Sequence, residues 1–227
     1  ILYEALGNPY YPNLYTDMMN SLLENPFFHN YFINRFADLM NVYFTTSRAL
    51  DIIDDNITEI ASEIPYQSAR WGSAGTLDWI NSVTYLKNFN RDRPEYQRQQ
   101  IQDYFGLNGQ SEITLEVQPA GAGVIKISTI IPENFPWSGI YFDGNPVVIT
   151  AIPNPGFTFD HWTTALPIDP LASTIEVNLS GTPLLRAHFT GSAAANTLEV
   201  IEVNYHSDPT TDAGDWFEIR NTGSFPI

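Results

Sequence analysis

Asp51, Asp54, Asp55 and Glu59 cluster at helical spacing, and a group of carboxylates of this kind can hold a divalent cation. Thr58 stands where an aspartate-rich diphosphate-binding motif needs an acid, however, and an apolar stripe on the same segment turns these carboxylates outward. The pattern therefore reads as a solvated acidic face. Asp208, Asp212 and Asp215, with Glu218 beyond them, offer oxygens suited to calcium, but their spacing misses the EF-hand pattern and reads as an acidic turn. His29, His161, His188 and His206 lie far apart, no pair has the short spacing of a zinc site, and no Gly-x-Ser-x-Gly elbow anchors a nucleophile. Gly121-Ala122-Gly123 has Lys126 where a dinucleotide fingerprint needs its third glycine, so it reads as a turn. With no P-loop, Gly-rich kinase loop or His-Arg-Asp-like string, no catalytic, cofactor-binding or metal-ligating residue is assigned. The best ligand candidate is the pair Trp137 and Tyr141 in Pro136-Trp137-Ser138-Gly139-Ile140-Tyr141-Phe142. Aromatic faces beside turn residues can stack on sugar rings, and core packing is the competing reading.

The elements that carry these residues divide the chain. Residues 1–108 read as helical. Asn25 caps a helix with Pro26 at its first position, and Phe28, Phe32, Phe36, Leu39, Met40 and Tyr43 recur at spacings of three and four. A second helix is predicted over 47–64, with Leu50, Ile53, Ile57, Ile60 and Ile64 as its apolar stripe and Pro65 ending it. A third begins near Thr76, is broken or restarted at Pro94, and stops at Gly106. From Gly106 to Ser111 the apolar period changes from about 3.6 to about 2, which marks a boundary.

Beyond it, Ile113/Leu115/Val117, Val147/Ile149/Ala151, Ile175/Val177/Leu179 and Leu185/Ala187/Phe189 alternate between turn signals. Six or seven short strands over 112–190 are expected, with a core separate from that of the helices. A small polar linker, 191–196, precedes two more strand patterns, Leu198 to Tyr205 and Trp216 to Asn221, in a segment 197–227. Two strands are too few to stand alone, so their apolar side, with Val200, Trp216 and Ile219, is expected to lie against the preceding strands or a neighbouring chain. The fold class is α+β: a helical subdomain, a small all-β module and an incomplete β-sandwich segment.

Composition bounds the partners. The 227 residues are 43% hydrophobic and 16% charged, a globular profile, and the net charge of −16 repels nucleic-acid phosphates and anionic lipid headgroups. No stretch approaches the apolar length of a membrane span, and the absence of cysteine removes disulfides and thiolate chemistry without fixing a compartment. The chain starts at Ile1 and stops at Ile227 directly after a strand-like segment, which reads as a piece of a longer protein.

Asn34-Arg35-Phe36-Ala37-Asp38-Leu39-Met40-Asn41 with Phe44-Thr45, the 53–64 helix, Arg70-Trp71-Gly72, Trp79, and Leu86-Lys87-Asn88-Phe89 with Arg93-Pro94 together resemble the C-terminal part of the CotH kinase family. The resemblance covers residues 17–106. It implies an atypical protein kinase whose nucleotide-binding lysine and metal-binding aspartates lie upstream, so that the parent would use ATP and a divalent metal while this chain holds only the helical subdomain buttressing the upstream kinase core. Gly144-Asn145-Pro146-Val147-Val148-Ile149-Thr150-Ala151-Ile152-Pro153 and Gly156-Phe157-Thr158-Phe159-Asp160-His161-Trp162 resemble the internalin-B-type extracellular repeat. Leu198 to Tyr205 with Asp215 to Asn221 is similar to the opening strands of a lamin-tail domain. This order of modules is similar to that of secreted or surface proteins of Bacteroidetes-type bacteria. Two functional classes follow from these resemblances: a non-catalytic support fragment of a secreted CotH-kinase-like protein, or an adhesion module binding a cell-surface glycan or protein. An independent hydrolase is a third and weaker class.

Overall fold

The computed structural model describes residues 14–72, 75–193, 198–204 and 216–222. A first helix, α1, spans Leu14–Leu23. The next, α2, spans Pro26–Val42. Its start is fixed by Asn25, whose side-chain oxygen accepts from the amides of Phe27 (2.9 Å) and Phe28 (3.3 Å) while Pro26 fills a position that needs no donor.

Helix α3, Thr46–Ile60, is capped by Thr45 and runs through a 3-10 turn, Ala61–Glu63, into α4, Ile64–Trp71. Pro65 therefore opens α4 and does not simply end the helix before it. The lost amide is harmless in a first turn, where no intrahelical acceptor awaits it. Helix α5, Thr76–Phe105, likewise passes through Pro94 unbroken for 30 residues. The stretch after Pro94 is pinned by fully buried Ile101 and by Phe105, whose ring meets those of His29 (5.1 Å) and Phe32 (5.9 Å). These contacts hold the helix together across a residue that removes one of its hydrogen bonds. Gly106, at φ 63°, ends it in the left-handed conformation.

Seven strands follow as a β module: β1 Gly109–Gln118, β2 Gly123–Ile127, β3 Trp137–Asp143, β4 Val147–Pro153, β5 Phe157–Thr163, β6 Thr174–Val177 and β7 Leu184–Gly191. They make two sheets, ordered β3-β1-β7-β5 and β2-β4-β6. Every pair is antiparallel except β1 with β7, which run parallel from Thr114↔Leu184 to Gln118↔His188. The period-two pattern sends Ile113, Leu115, Ile125, Ile149, Leu185 and Phe189 inward between the sheets.

That core is continuous with the helices. Ile33 and Ala37 of α2 and Ile101 of α5 belong to the same buried cluster as the strand residues. The expectation of separate cores on either side of residues 106–111 is thus corrected, because one face of α2 is apolar and closes the module beside β3.

Strands β8, Leu198–Asn204, and β9, Trp216–Asn221, pair antiparallel as a sheet of their own. Of the two coverings expected, the β module does not provide one: Val200 is 57%, Trp216 40% and Ile219 49% exposed. Two strands joined by their own ladder satisfy only their facing backbone groups.

Candidate functional site: a buried carboxylate at the helix–sheet seam and the cleft beside it

Asn34, Asp38 and Asn41 stand at i, i+4 and i+7 on α2 and so share one helix face. That face lies on the turn after β2 and on β3, the edge strand of the four-stranded sheet. Asn34 donates to the Pro146 carbonyl (2.7 Å) and accepts from the Asn145 side chain (2.8 Å). Asn41 grips the edge of β3 as a neighbouring strand would. Its carboxamide nitrogen donates to the Ile140 carbonyl (2.9 Å), and its oxygen accepts from the Ile140 amide (3.0 Å) and from Arg98 Nη2 (3.1 Å).

Between them Asp38 has no exposed surface, and it is the one buried charged residue among the described residues. Four donors converge on it. Its Oδ2 accepts from Ser128 Oγ (2.8 Å), the Thr129 amide (3.0 Å) and Thr129 Oγ1 (2.6 Å), and its Oδ1 accepts from the Tyr141 hydroxyl (2.6 Å). A buried carboxylate is tolerable only when its lone pairs are taken up in this way. The same arrangement acts on Tyr141, whose hydroxyl is pushed well above its ordinary pKa, first by burial and then by the negative charge of Asp38.

The two aromatic ligand candidates therefore part company. Tyr141 is buried at the seam with its hydroxyl committed to Asp38, so its candidacy as an exposed sugar platform is corrected. Trp137 is only partly buried and lines a cleft of about 660 Å³ with Arg35, Tyr43, Thr129, Glu133 and Asn134. Its ring lies over Gly139, where an added Cβ would come within 2.2 Å of Cη2, so the indole rests where the strand has no side chain. Arg35 reaches the cleft from α2, and its Nη1 donates to Thr129 Oγ1 (2.6 Å), the same hydroxyl that donates to Asp38.

The remaining chemical residues stay scattered. Asp51, Asp54, Asp55 and Glu59 are exposed on α3, with Asp54 paired to Lys87 of α5. His161 and His188, distant in sequence, meet across β5 and β7 as stacked rings 4.3 Å apart and 3° from parallel, with Asp160 and Thr163 on their nitrogens. No group of three or more His, Asp or Glu side chains among the described residues is placed to hold a metal ion. His29 packs on Phe105, while His206 and the acidic loop bearing Asp208, Asp212 and Asp215 lie outside the described residues. Gly121 forms a turn at φ 78° and its carbonyl accepts from Asn154, consistent with a turn and not a phosphate loop.

Among the described residues, the one buried carboxylate, Asp38, is saturated by protein donors, and the acids on α3 are exposed, with Asp54 paired to Lys87. Sequence reasoning assigned Asp38 and Arg35 no role of their own. The available signal was three short polar side chains, Asn34, Asp38 and Asn41, at helical spacing directly beside the apolar set Ile33, Ala37 and Met40.

Residues 8–97 match the family model of the CotH kinase protein, and residues 113–192 match that of the divergent InlB B-repeat domain; each match covers less than half of the chain. No curated protein and no solved structure matches the chain. No helix among the described residues is long and apolar enough to cross a membrane.

Proposed function

We propose that this chain is a non-catalytic support segment of a secreted CotH-kinase-like protein, whose helices buttress a kinase core supplied by preceding sequence and whose β module extends from it. The observation that carries the reading is apolar surface without a partner. Neither α3 nor α4 has a buried residue, although α3 is strongly amphipathic, and Ile52, Ile60, Trp71, Leu77, Leu86 and Phe89 are all exposed. Monomeric domains rarely leave so many large apolar side chains on neighbouring helices in water, so a further protein surface is called for. An apolar cavity of about 520 Å³ between α2, α3 and α5, lined by Phe36, Met40, Phe44, Ile52 and Pro94, adds to that face.

On this reading the seam at Asp38 keeps the β module docked to the helical support, and the β8–β9 hairpin is the opening of a lamin-tail-like sandwich. Its exposed Val200, Phe217 and Ile219 are apolar positions that further strands of such a sandwich would cover. The match to an extracellular-type repeat supports secretion or surface display.

Titration calorimetry with Mg-ATP tests the reading. This chain should give no saturable heat, whereas the longer parent should bind ATP, and amide exchange on α3–α5 should slow in the parent. Saturable micromolar binding by this chain alone would overturn it.

A further inference from the structure

We propose that the cleft beside Trp137 is a binding subsite for a neutral saccharide. The proposal rests on the cleft itself and is independent of the kinase-support reading. At about 660 Å³ the cleft is in the size range of small-molecule sites and larger than a single hexose needs.

Its walls supply the two things a sugar requires. Aromatic surface comes from Trp137, seated over Gly139, and from half-exposed Tyr43, whose ring is held by Arg48 at 5.7 Å from its centroid. Such rings bury the apolar C–H face of a pyranose without a large loss of side-chain freedom. Polar ends come from Arg35, Glu133 and Asn134. Arg35 has only donors, Glu133 only acceptors, and Asn134 one of each kind, which together match hydroxyl groups that both give and accept hydrogen bonds. Glu133, Asn134 and the Trp137 indole N–H have no side-chain hydrogen-bond partner among the described residues, so their capacity is free for a ligand.

Arg35 is set in advance. The chain Asp38–Thr129–Arg35, with both links at 2.6 Å, anchors the guanidinium to the buried seam, so little ordering remains to be done on binding. Charge decides between ligand classes. Arg35 and Glu133 cancel within the cleft, and the protein as a whole carries −16, which disfavours phosphate, sulfate or uronate ligands.

The test is calorimetry of the whole chain with cellopentaose, mannopentaose and chitopentaose. At least one should bind with a Kd on the order of 1 mM, as expected for a shallow subsite. Trp137→Ala should weaken that binding by about tenfold or more, and Glu133→Gln and Asn134→Ala, which change exposed side chains, by about threefold each. Trp71→Ala, which removes a 63% exposed indole outside the cleft, should leave it unchanged. Far-UV circular dichroism establishes that each variant is folded. If none of the three sugars binds at about 10 mM, or if binding survives Trp137→Ala and both polar substitutions, the proposal is wrong.

Discussion

Replacing Asp38 by alanine should unfold the junction between helices and strands before it disturbs either partner's own secondary structure. Four donors lose their acceptor at once: the hydroxyls of Ser128, Thr129 and Tyr141 and the Thr129 amide. The first two hydroxyls are near enough to the surface to find water. The Thr129 amide is fixed by its backbone, and Tyr141 is fully buried, out of reach of bulk water. A hydrogen bond to a charged group is worth about 1.5–3 kcal/mol, so two stranded donors set the loss at about 3–6 kcal/mol. The value of about 3–5 kcal/mol for removing one partner of a buried ionic arrangement falls in the same range. Against a total stability of about 5–15 kcal/mol this is a large fraction. Urea unfolding of the whole chain, followed by far-UV circular dichroism and tryptophan fluorescence, measures it. Tyr141→Phe alone should cost about 1–2 kcal/mol, and the double variant should cost clearly less than the sum, because the two residues share one bond. A loss below about 1 kcal/mol for Asp38→Ala would refute the view that this carboxylate holds the seam.

Three further outcomes follow from the same geometry. Because burial and Asp38 raise the Tyr141 pKa above its ordinary value of 10.0, the folded chain keeps that proton in a range where the unfolded chain has lost it; stability should be retained below about pH 10 and fall above it, less steeply in Tyr141→Phe, as read from urea midpoints. His188 is shifted the other way, down from 6.5, first by burial and then by the facing charges of His161 and Arg186, with Asp160 opposing. The unfolded chain therefore takes up the proton first on acidification, so urea midpoints should decline slightly between about pH 7.5 and about pH 5.5, and His188→Gln should flatten that slope. Gly139→Ala places a Cβ within 2.2 Å of the Trp137 ring and should displace it at a cost of about 1–3 kcal/mol, with a shift in tryptophan emission; an unchanged spectrum and midpoint would contradict the seating described for that indole.

Local chemistry made much of this fold readable. The Asn25-Pro26 cap and the Gly106 stop are decided within a few residues, and the inward strand positions follow a strict period of two, so each matches its prediction. Pro65 and Pro94 mark the limit of that reasoning. A proline removes a donor wherever it stands, but whether the chain restarts or continues depends on what packs beyond it; after Pro94, Ile101 and Phe105 of the same helix settle that by packing into the core and on Phe32 of α2. The site was less legible. Asp38 meets Ser128, Thr129 and Tyr141 at separations of 90, 91 and 103 residues, so the local spacing of Asn34, Asp38 and Asn41 marks a shared polar helix face but not the partners that bury it. Tyr141 and Trp137 look equivalent in sequence because both flank the same turn. Only the docking of α2 sends one into the seam and leaves the other facing a cleft.

The parallel pairing of β1 with β7 governs how the module answers to mechanical pull. The chain enters the module at the start of β1 and leaves it at the end of β7, and these neighbours run in the same direction, so the two points of attachment lie at opposite ends of one ladder. Tension along the chain therefore slides the two strands past each other and loads their rungs all together, where an antiparallel exit strand would open them one after another like a zip. Stretching single molecules by force microscopy should register one high rupture peak for the module, and a gradual low-force opening would show that the load takes another route. In a protein held at one end and tugged at the other, the module would act as a stiff link that gives way abruptly, with the β8–β9 hairpin beyond it yielding first.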